Sequence, residues 1–392
     1  MIREISVKNY KSIVALNMPL ARFNLLIGAN GCGKSNILES IALAAAANAN
    51  KLDYEFFANR GIRVVNPKIM LPAFDDIEAE EIEINAKNEH NLELEFNIYY
   101  NQSAKPPRWD DRSISFERLV ELLRQQAKDN PKVSDLKNVL DNIISSSPNG
   151  ADGVVNIDIK ETDKSFKILP AIPEFNSFVI FSLEESCLRS KDDLNRIHPL
   201  GNHGEGLLHY LIKEIPQKPN GTEIINEINE NLKLLDWFDG MTIPSGQLSS
   251  EIDIRLHDRY LRESLAYFDQ RSTNEGFLYL LFYLTLIISD ETPSFFAIEN
   301  IDASFNPKLC KEVVRRLIQL AKKHNKQIIA TTHNPAVLDA LDLEDEDVKL
   351  HVVRRSVDGY TKINSAKLMS ELKMPLSKAW IDGFLGGLPD NF

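Results

Sequence analysis

Phe23-Asn24-Leu25-Leu26-Ile27-Gly28-Ala29-Asn30-Gly31-Cys32-Gly33-Lys34-Ser35 decides how this chain is read. A mostly apolar run with the look of a buried strand leads straight into G-x-x-x-x-G-K-S, the P-loop pattern, and a helix-forming stretch from Lys34 to Ala49 follows. The glycines let successive backbone N–H groups turn inward around phosphate oxygens. Lys34 is placed to reach the terminal phosphates and the Ser35 hydroxyl to hold Mg²⁺. The helix is expected to carry Ile37, Leu38, Ile41 and Ala45 on one side.

Composition narrows the setting. The 392 residues include 45 Lys plus Arg against 57 Asp plus Glu, a net charge of −12. Such a surface repels nucleic acid unless basic groups gather on one face, so DNA binding does not follow from charge. Cys32, Cys187 and Cys310 stand far apart without a CxxC, which supports neither a disulfide scaffold nor a zinc site and fits a reducing cytoplasm. The opening Met1–Val7 alternates like a strand and lacks a signal peptide's apolar core. The longest apolar run, Phe277 to Ile288, is interrupted only by Thr285. It is too short for a membrane span of about 20 residues and reads as a helix buried on all sides.

Further strands are expected at Ile82–Ile84 and Leu92–Ile98, where alternation predicts a half-exposed antiparallel sheet, then at Val154–Ile159, Phe178–Phe181 and Ile252–Leu256. Between Gln102 and Gly153 the texture changes. Ala104-Lys105-Pro106-Pro107 breaks the chain, and two helical patterns follow, one on Phe116, Leu119, Val120 and Leu123, the other on Val133, Leu136, Leu140 and Ile143. The expected plan is a head split between residues 1–100 and 154–392, with a helical insertion at 101–153.

A P-loop needs a second strand to bring an acidic group to the metal. Phe295-Phe296-Ala297-Ile298-Glu299 has that form, an apolar central strand with a carboxylate at its carboxyl end. An amphipathic helix then runs from Asn306-Pro307 to His324, and a strand, Gln327–Thr331, ends in Thr332-His333-Asn334-Pro335. His333 is thereby placed to donate a hydrogen bond to a γ-phosphate.

This order of parts resembles the ATPase head shared by ABC, SMC and RecF proteins, most closely the OLD-like ATPases of bacterial defence systems. The resemblance implies an α/β fold with a mixed sheet and flanking helices, and ATP with Mg²⁺ as cofactors. Lys8-Asn9-Tyr10-Lys11-Ser12 looks like the "NFRS" element, whose basic residue, here Lys11, approaches the nucleotide. Glu299 through Pro307 lies where the family has Walker B and the D-loop, and His333 matches the switch histidine. Ser272-Thr273-Asn274-Glu275-Gly276 resembles a shortened signature turn, offered to the γ-phosphate of an opposite subunit; an ordinary helix N-cap by Asn274 is the other reading of the same residues. Pro199–Leu207 and Trp380–Pro389 resemble recurring elements of the defence-type ATPases, with no chemistry assigned.

The expected nucleotide-binding residues are therefore Lys11, Gly28, Asn30, Gly31, Cys32, Gly33, Lys34, Ser35 and Asn36, with Asn274, Glu275 and Gly276 from the signature turn. Ser35 and Glu299 are the expected metal ligands, and Glu299, Asn300, Asp302 and His333 the expected catalytic group. One departure matters: where relatives end Walker B in Asp-Glu, this chain has Glu299-Asn300, an amide that cannot accept a proton, so Asn300 is expected to orient water through its side-chain carbonyl and Asp302 to act from a shifted position. Fifty-nine residues follow His333, too few for the nuclease domain of OLD proteins. The expectation is a slow ATPase that closes as a homodimer or higher oligomer around ATP and regulates a separately encoded nuclease or toxin. A RecF-type clamp on DNA is the alternative, and no membrane partner is expected.

Overall fold

The computed structural model describes residues 1–115, 155–159, 164–169, 173–190, 199–243, 254–262, 267–269, 272–366 and 374–387. The described strands begin with β1 (Ile2–Tyr10), β2 (Ile13–Pro19), β3 (Phe23–Ile27), β4 (Glu81–Asn88), β5 (Glu93–Asn101), β6 (Arg108–Asp111) and β7 (Ser113–Ser115). They continue with β8 (Val155–Ile159), β9 (Lys164–Leu169), β10 (Ile180–Phe181), β11 (Phe238–Thr242), β12 (Arg255–Asp258) and β13 (Phe268–Asp269). The last four are β14 (Phe295–Ile298), β15 (Gln327–Thr331), β16 (Val348–Arg355) and β17 (Thr361–Ser365).

A six-stranded mixed sheet organises the molecule in the order β10-β14-β15-β3-β16-β17. Every pairing from β10 to β16 is parallel, and only β17 runs back antiparallel. β3 is central and all five of its residues are buried, as a strand covered on both faces must be. Its alternation divides two cores: Phe23, Leu25 and Ile27 face the helices Gly221–Leu232, Glu275–Ile288 and Pro307–Lys323, while Leu26 faces the helix Lys34–Asn48. Asn24, the one polar residue of β3, is satisfied by backbone bonds to Ala21 and Ile328.

A second, antiparallel sheet, β2-β1-β4-β5-β6, covers the other side of the Lys34–Asn48 helix. That helix is not one-sided as its spacing predicted. Every residue from Ile37 to Asn48 is buried, because the small side chains of Ala42 and Ala44–Ala47 let sheets approach from both sides. Small sheets β11-β12-β13 and β7-β9-β8 complete the strands. The antiparallel sheet also runs past the expected boundary: β5 continues to Asn101 and β6 pairs with it, so part of the expected helical insertion belongs to the sheet. Backbone pairing decides this, since Trp109 buries itself against Tyr100. The helical patterns on Phe116–Ile143 lie outside the described residues.

Parallel pairing has one functional result. The carboxyl ends of β3, β14, β15 and β10 all open at the same edge, which brings Gly28, Glu299, Thr332 and Ser182 together there.

Candidate active site

The P-loop turn is built on two positions that only glycine can hold. A Cβ on Gly28 (φ +151°) would stand 2.1 Å from the Val353 carbonyl oxygen, and one on Gly33 (φ +108°) 2.1 Å from Thr361 Oγ1. Gly33 is also the left-handed N-cap of the helix. The contact at Thr361 belongs to a relay that braces the loop: Asn36 Nδ2 donates to Ser12 Oγ (2.7 Å), Ser12 meets Thr361 Oγ1 (2.7 Å), and Thr361 donates to the Cys32 carbonyl (3.0 Å). Asn30 and Gly31 are exposed at the loop's crest, while Cys32 is buried beneath it.

Lys34 folds back over the loop, its Nζ donating to Gly28 O (2.8 Å) and Ala29 O (3.0 Å). Burial lowers its pKa, which the nearby Cys32 and Glu299 partly oppose. Ser35 Oγ donates to Glu299 Oε1 at 2.5 Å. A hydroxyl and a carboxylate thus converge from segments 264 positions apart, and both are oxygen donors suited to a hard cation. Among the described residues no group of three or more His, Cys, Asp or Glu could hold a metal; a P-loop Mg²⁺ takes further ligands from phosphate and water.

Beyond Glu299 the chain turns sharply. Asn300 has φ +51°, is exposed, and donates its N–H to Thr331 Oγ1 (3.0 Å). Asn accepts this left-handed conformation more readily than Glu. Asp302 Oδ1 accepts from Thr332 Oγ1 at 2.6 Å, and Asn334 N–H bonds the same threonine oxygen at 3.0 Å, so the turn after β14 is fastened to the end of β15. His333, between them, lies within electrostatic reach of Lys34: burial first, then the Lys34 ammonium, lowers its pKa, against the pull of Asp302. In the free protein His333 is expected to titrate below 6.5 and to move upward on adding ATP, because an anion favours imidazolium. NMR titration of its ring protons checks both, and a free-protein value above 6.5 would contradict the packing.

Lys11 does not stand alone. It pairs with Glu39, which is 1% exposed on the P-loop helix and also accepts from Tyr10 OH (3.1 Å) and Arg63 Nε (2.5 Å). Arg63 reaches Asn36 Oδ1 at 3.3 Å. Burial works against its charge, but the bond to Glu39 and the fields of Glu39 and Glu299 carry its pKa up. Sequence reasoning missed Glu39, Arg63 and Thr332. Glu39 had a signal, a lone acid inside an alanine-rich helix; Arg63 had none in its loop.

In the signature-like turn Asn274 acts as an N-cap, its Oδ1 accepting from Phe277 N–H at 2.9 Å, and Glu275 starts the helix. Gly276 is buried, and a Cβ there would sit 3.0 Å from the Ser304 carbonyl of the same chain. Its close approach is therefore to the segment that follows β14 in its own chain. Arg189 bonds Thr273 O (2.8 Å) and Tyr279 OH bonds Leu183 O (3.0 Å), tying this turn to the segment after β10. In Pro199–Leu207 the polar groups serve structure, two of them tying the loop to neighbouring backbone: Asn202 bonds Ala58 O, His203 Nδ1 meets Ser182 O, and Glu205 accepts from His203 N–H.

Fold and sequence agree on the class, a P-loop NTPase head with a mixed sheet and flanking helices. The chain belongs to the AAA-domain family described as putative AbiEii toxin, type IV toxin–antitoxin system, whose model matches residues 23–339. Among solved structures it is similar to an Smc head bound to the C-terminal winged-helix domain of ScpA, with TM-score 0.55, 16% identity and coverage of 95% of this chain and 99% of that one. An Smc head with an extended coiled coil, bound to the C-terminal domain of ScpA derived from Pyrococcus furiosus, matches with TM-score 0.51 and 14% identity over 95% and 98% of the two chains. No curated protein matches the sequence. Among the described residues no helix is long and apolar enough to cross a membrane.

Proposed function

We propose that this protein is a slow regulatory ATPase that closes as a dimer around ATP and Mg²⁺ and controls a separately encoded nuclease or toxin in a bacterial defence module. The 2.5 Å contact between Ser35 and Glu299 carries the reading, because it joins the two halves of a phosphate and metal site. Ser35 and Glu299 would hold Mg²⁺, which when bound supplies charge neutralisation at the phosphates. Lys34 turns from Gly28 O and Ala29 O onto the phosphate oxygens. Lys11 and Arg63, fixed by Glu39, add positive charge on the flank, and His333 donates to the γ-phosphate, whose charge draws its lowered pKa back up.

Asn300 cannot take a proton from water, and Asp302, fastened to Thr332, is the carboxylate left to do so. General-base help is worth about 10²–10⁴ in rate, so ATP acts chiefly as a clamp. The toxin–antitoxin description of the family favours a defence setting. The likeness to Smc heads keeps a DNA clamp as the second reading, against which the net charge of −12 weighs.

Mass measurement of the purified protein with and without ATP and Mg²⁺ is expected to show a dimer only with nucleotide, and whatever copurifies identifies the effector. Phosphate release should run about 100-fold below the ~10 s⁻¹ of a median enzyme and fall further in Asp302→Ala. Rapid release indifferent to Asp302→Ala would overturn the clamp reading. DNA binding that strengthens steeply at low salt only with ATP would favour the second.

A further inference from the structure

The segment Trp380–Gly387, singled out in the sequence without a role, lies against the P-loop. Gly387 O accepts the backbone N–H of Ala29 at 2.8 Å. Gly387 has φ +79°, and a Cβ there would stand 2.6 Å from Val352 Cγ1 and 3.6 Å from Gly28 Cα. The segment starts from a short helix, Leu376–Ile381, whose Ser377 bonds Asp339 through its N–H (3.0 Å) and its hydroxyl (2.8 Å). Asp339 belongs to the 3-10 turn Pro335–Ala340 that follows His333. Trp380 is buried, and the turn beyond it closes on itself through Phe384 N–H to Ala379 O and Gly386 N–H to Gly383 O. One short strap therefore joins the switch turn to the phosphate loop.

The joint to the loop is chemically specific. The peptide unit between Gly28 and Ala29 is engaged at both ends, its oxygen by Lys34 Nζ at 2.8 Å and its N–H by Gly387 O at 2.8 Å. An ammonium at the oxygen polarises the amide and strengthens it as a donor. We propose that Leu376–Gly387 is a nucleotide-sensing strap, held on the P-loop while Lys34 rests on the Gly28 carbonyl and released when Lys34 turns to a bound polyphosphate. The inference rests on the nucleotide site proposed above. Two effects act in the same direction on release: the peptide loses its polarising cation, and the phosphates set negative charge beside the carbonyl oxygen of Gly387. Because linkage is reciprocal, a strap that ATP loosens is a strap that weakens ATP binding.

Hydrogen exchange of the full chain tests this, with and without ATP and Mg²⁺, beside titration with a fluorescent ATP analogue. In the unmodified protein, ATP is expected to speed exchange across residues 379–387 severalfold, and in Lys34→Ala to leave it unchanged. Gly387→Val, which clashes with Val352 but spares Trp380 and Ser377, should exchange quickly without nucleotide and bind the analogue about fivefold tighter. Unchanged or slowed exchange in the ATP-bound unmodified protein overturns the strap, a result that needs no variant to fold. So does equal or weaker binding by folded Gly387→Val. Failure of the unmodified protein to bind the analogue overturns the nucleotide site itself.

Discussion

Lys34→Ala is expected to lower ATP affinity by about 100-fold or more while leaving the chain folded. Two charge-assisted hydrogen bonds to buried phosphate oxygens, at about 1.5–3 kcal/mol each, set that scale. Arg355 donates to Gly31 O but lies on the outer rim of the loop, exposed, so it does not replace the missing ammonium. Folding should survive because Lys34 bonds only groups of the loop itself, the Gly28 and Ala29 carbonyls and Cys32 Sγ, whereas the loop's shape is held by the relay from Asn36 to Cys32. Calorimetric titration with ATP and Mg²⁺, beside a thermal melt, reads both. Retained affinity in the folded variant would remove the P-loop from the site.

The second large effect is expected at Glu39. Its carboxylate is buried among Tyr10, Lys11 and Arg63. Lys11 is nearly enclosed, with its side chain 12% exposed, and burial already lowers its pKa. Glu39→Ala leaves that ammonium without its counter-charge, a loss of about 3 kcal/mol typical of breaking a buried pair. Arg63, 64% exposed, adds little to the loss because water screens it. Denaturant unfolding should show the drop in midpoint. ATP affinity should fall as well in Glu39→Gln, which keeps an acceptor for Tyr10 but no longer anchors two cations. A Glu39→Ala protein as stable as its parent would contradict the buried triad.

Much of the head was legible because its signals are local. Phe23–Ile27, Phe295–Ile298 and Gln327–Thr331 announce buried parallel strands by their mostly apolar character, and Asn306-Pro307 announces a helix start that the structure caps through Asn306 Oδ1 to Leu309 N–H. Partnerships between distant segments were not legible. Nothing in the loop around Arg63 points to Glu39, and nothing in the glycines of the last segment points to Ala29, since both depend on how the two sheets close over one helix. The alanines of that helix misled the periodicity argument for the same reason: Ala packs equally well on either side. The boundary at residue 101 failed because Pro106-Pro107 interrupts the chain without ending the sheet, which β6 resumes.

The place of β3 between β15 and β16 has a consequence for synthesis of the protein. One edge of the strand waits for residues 327–331 and the other for residues 348–352. Until those emerge from the ribosome, an apolar strand near the amino terminus has no partner on either edge, the condition under which nascent chains associate wrongly. Ribosome-stalled chains halted before residue 327 should therefore bind chaperones avidly, and competence to capture ATP should arrive late and all at once.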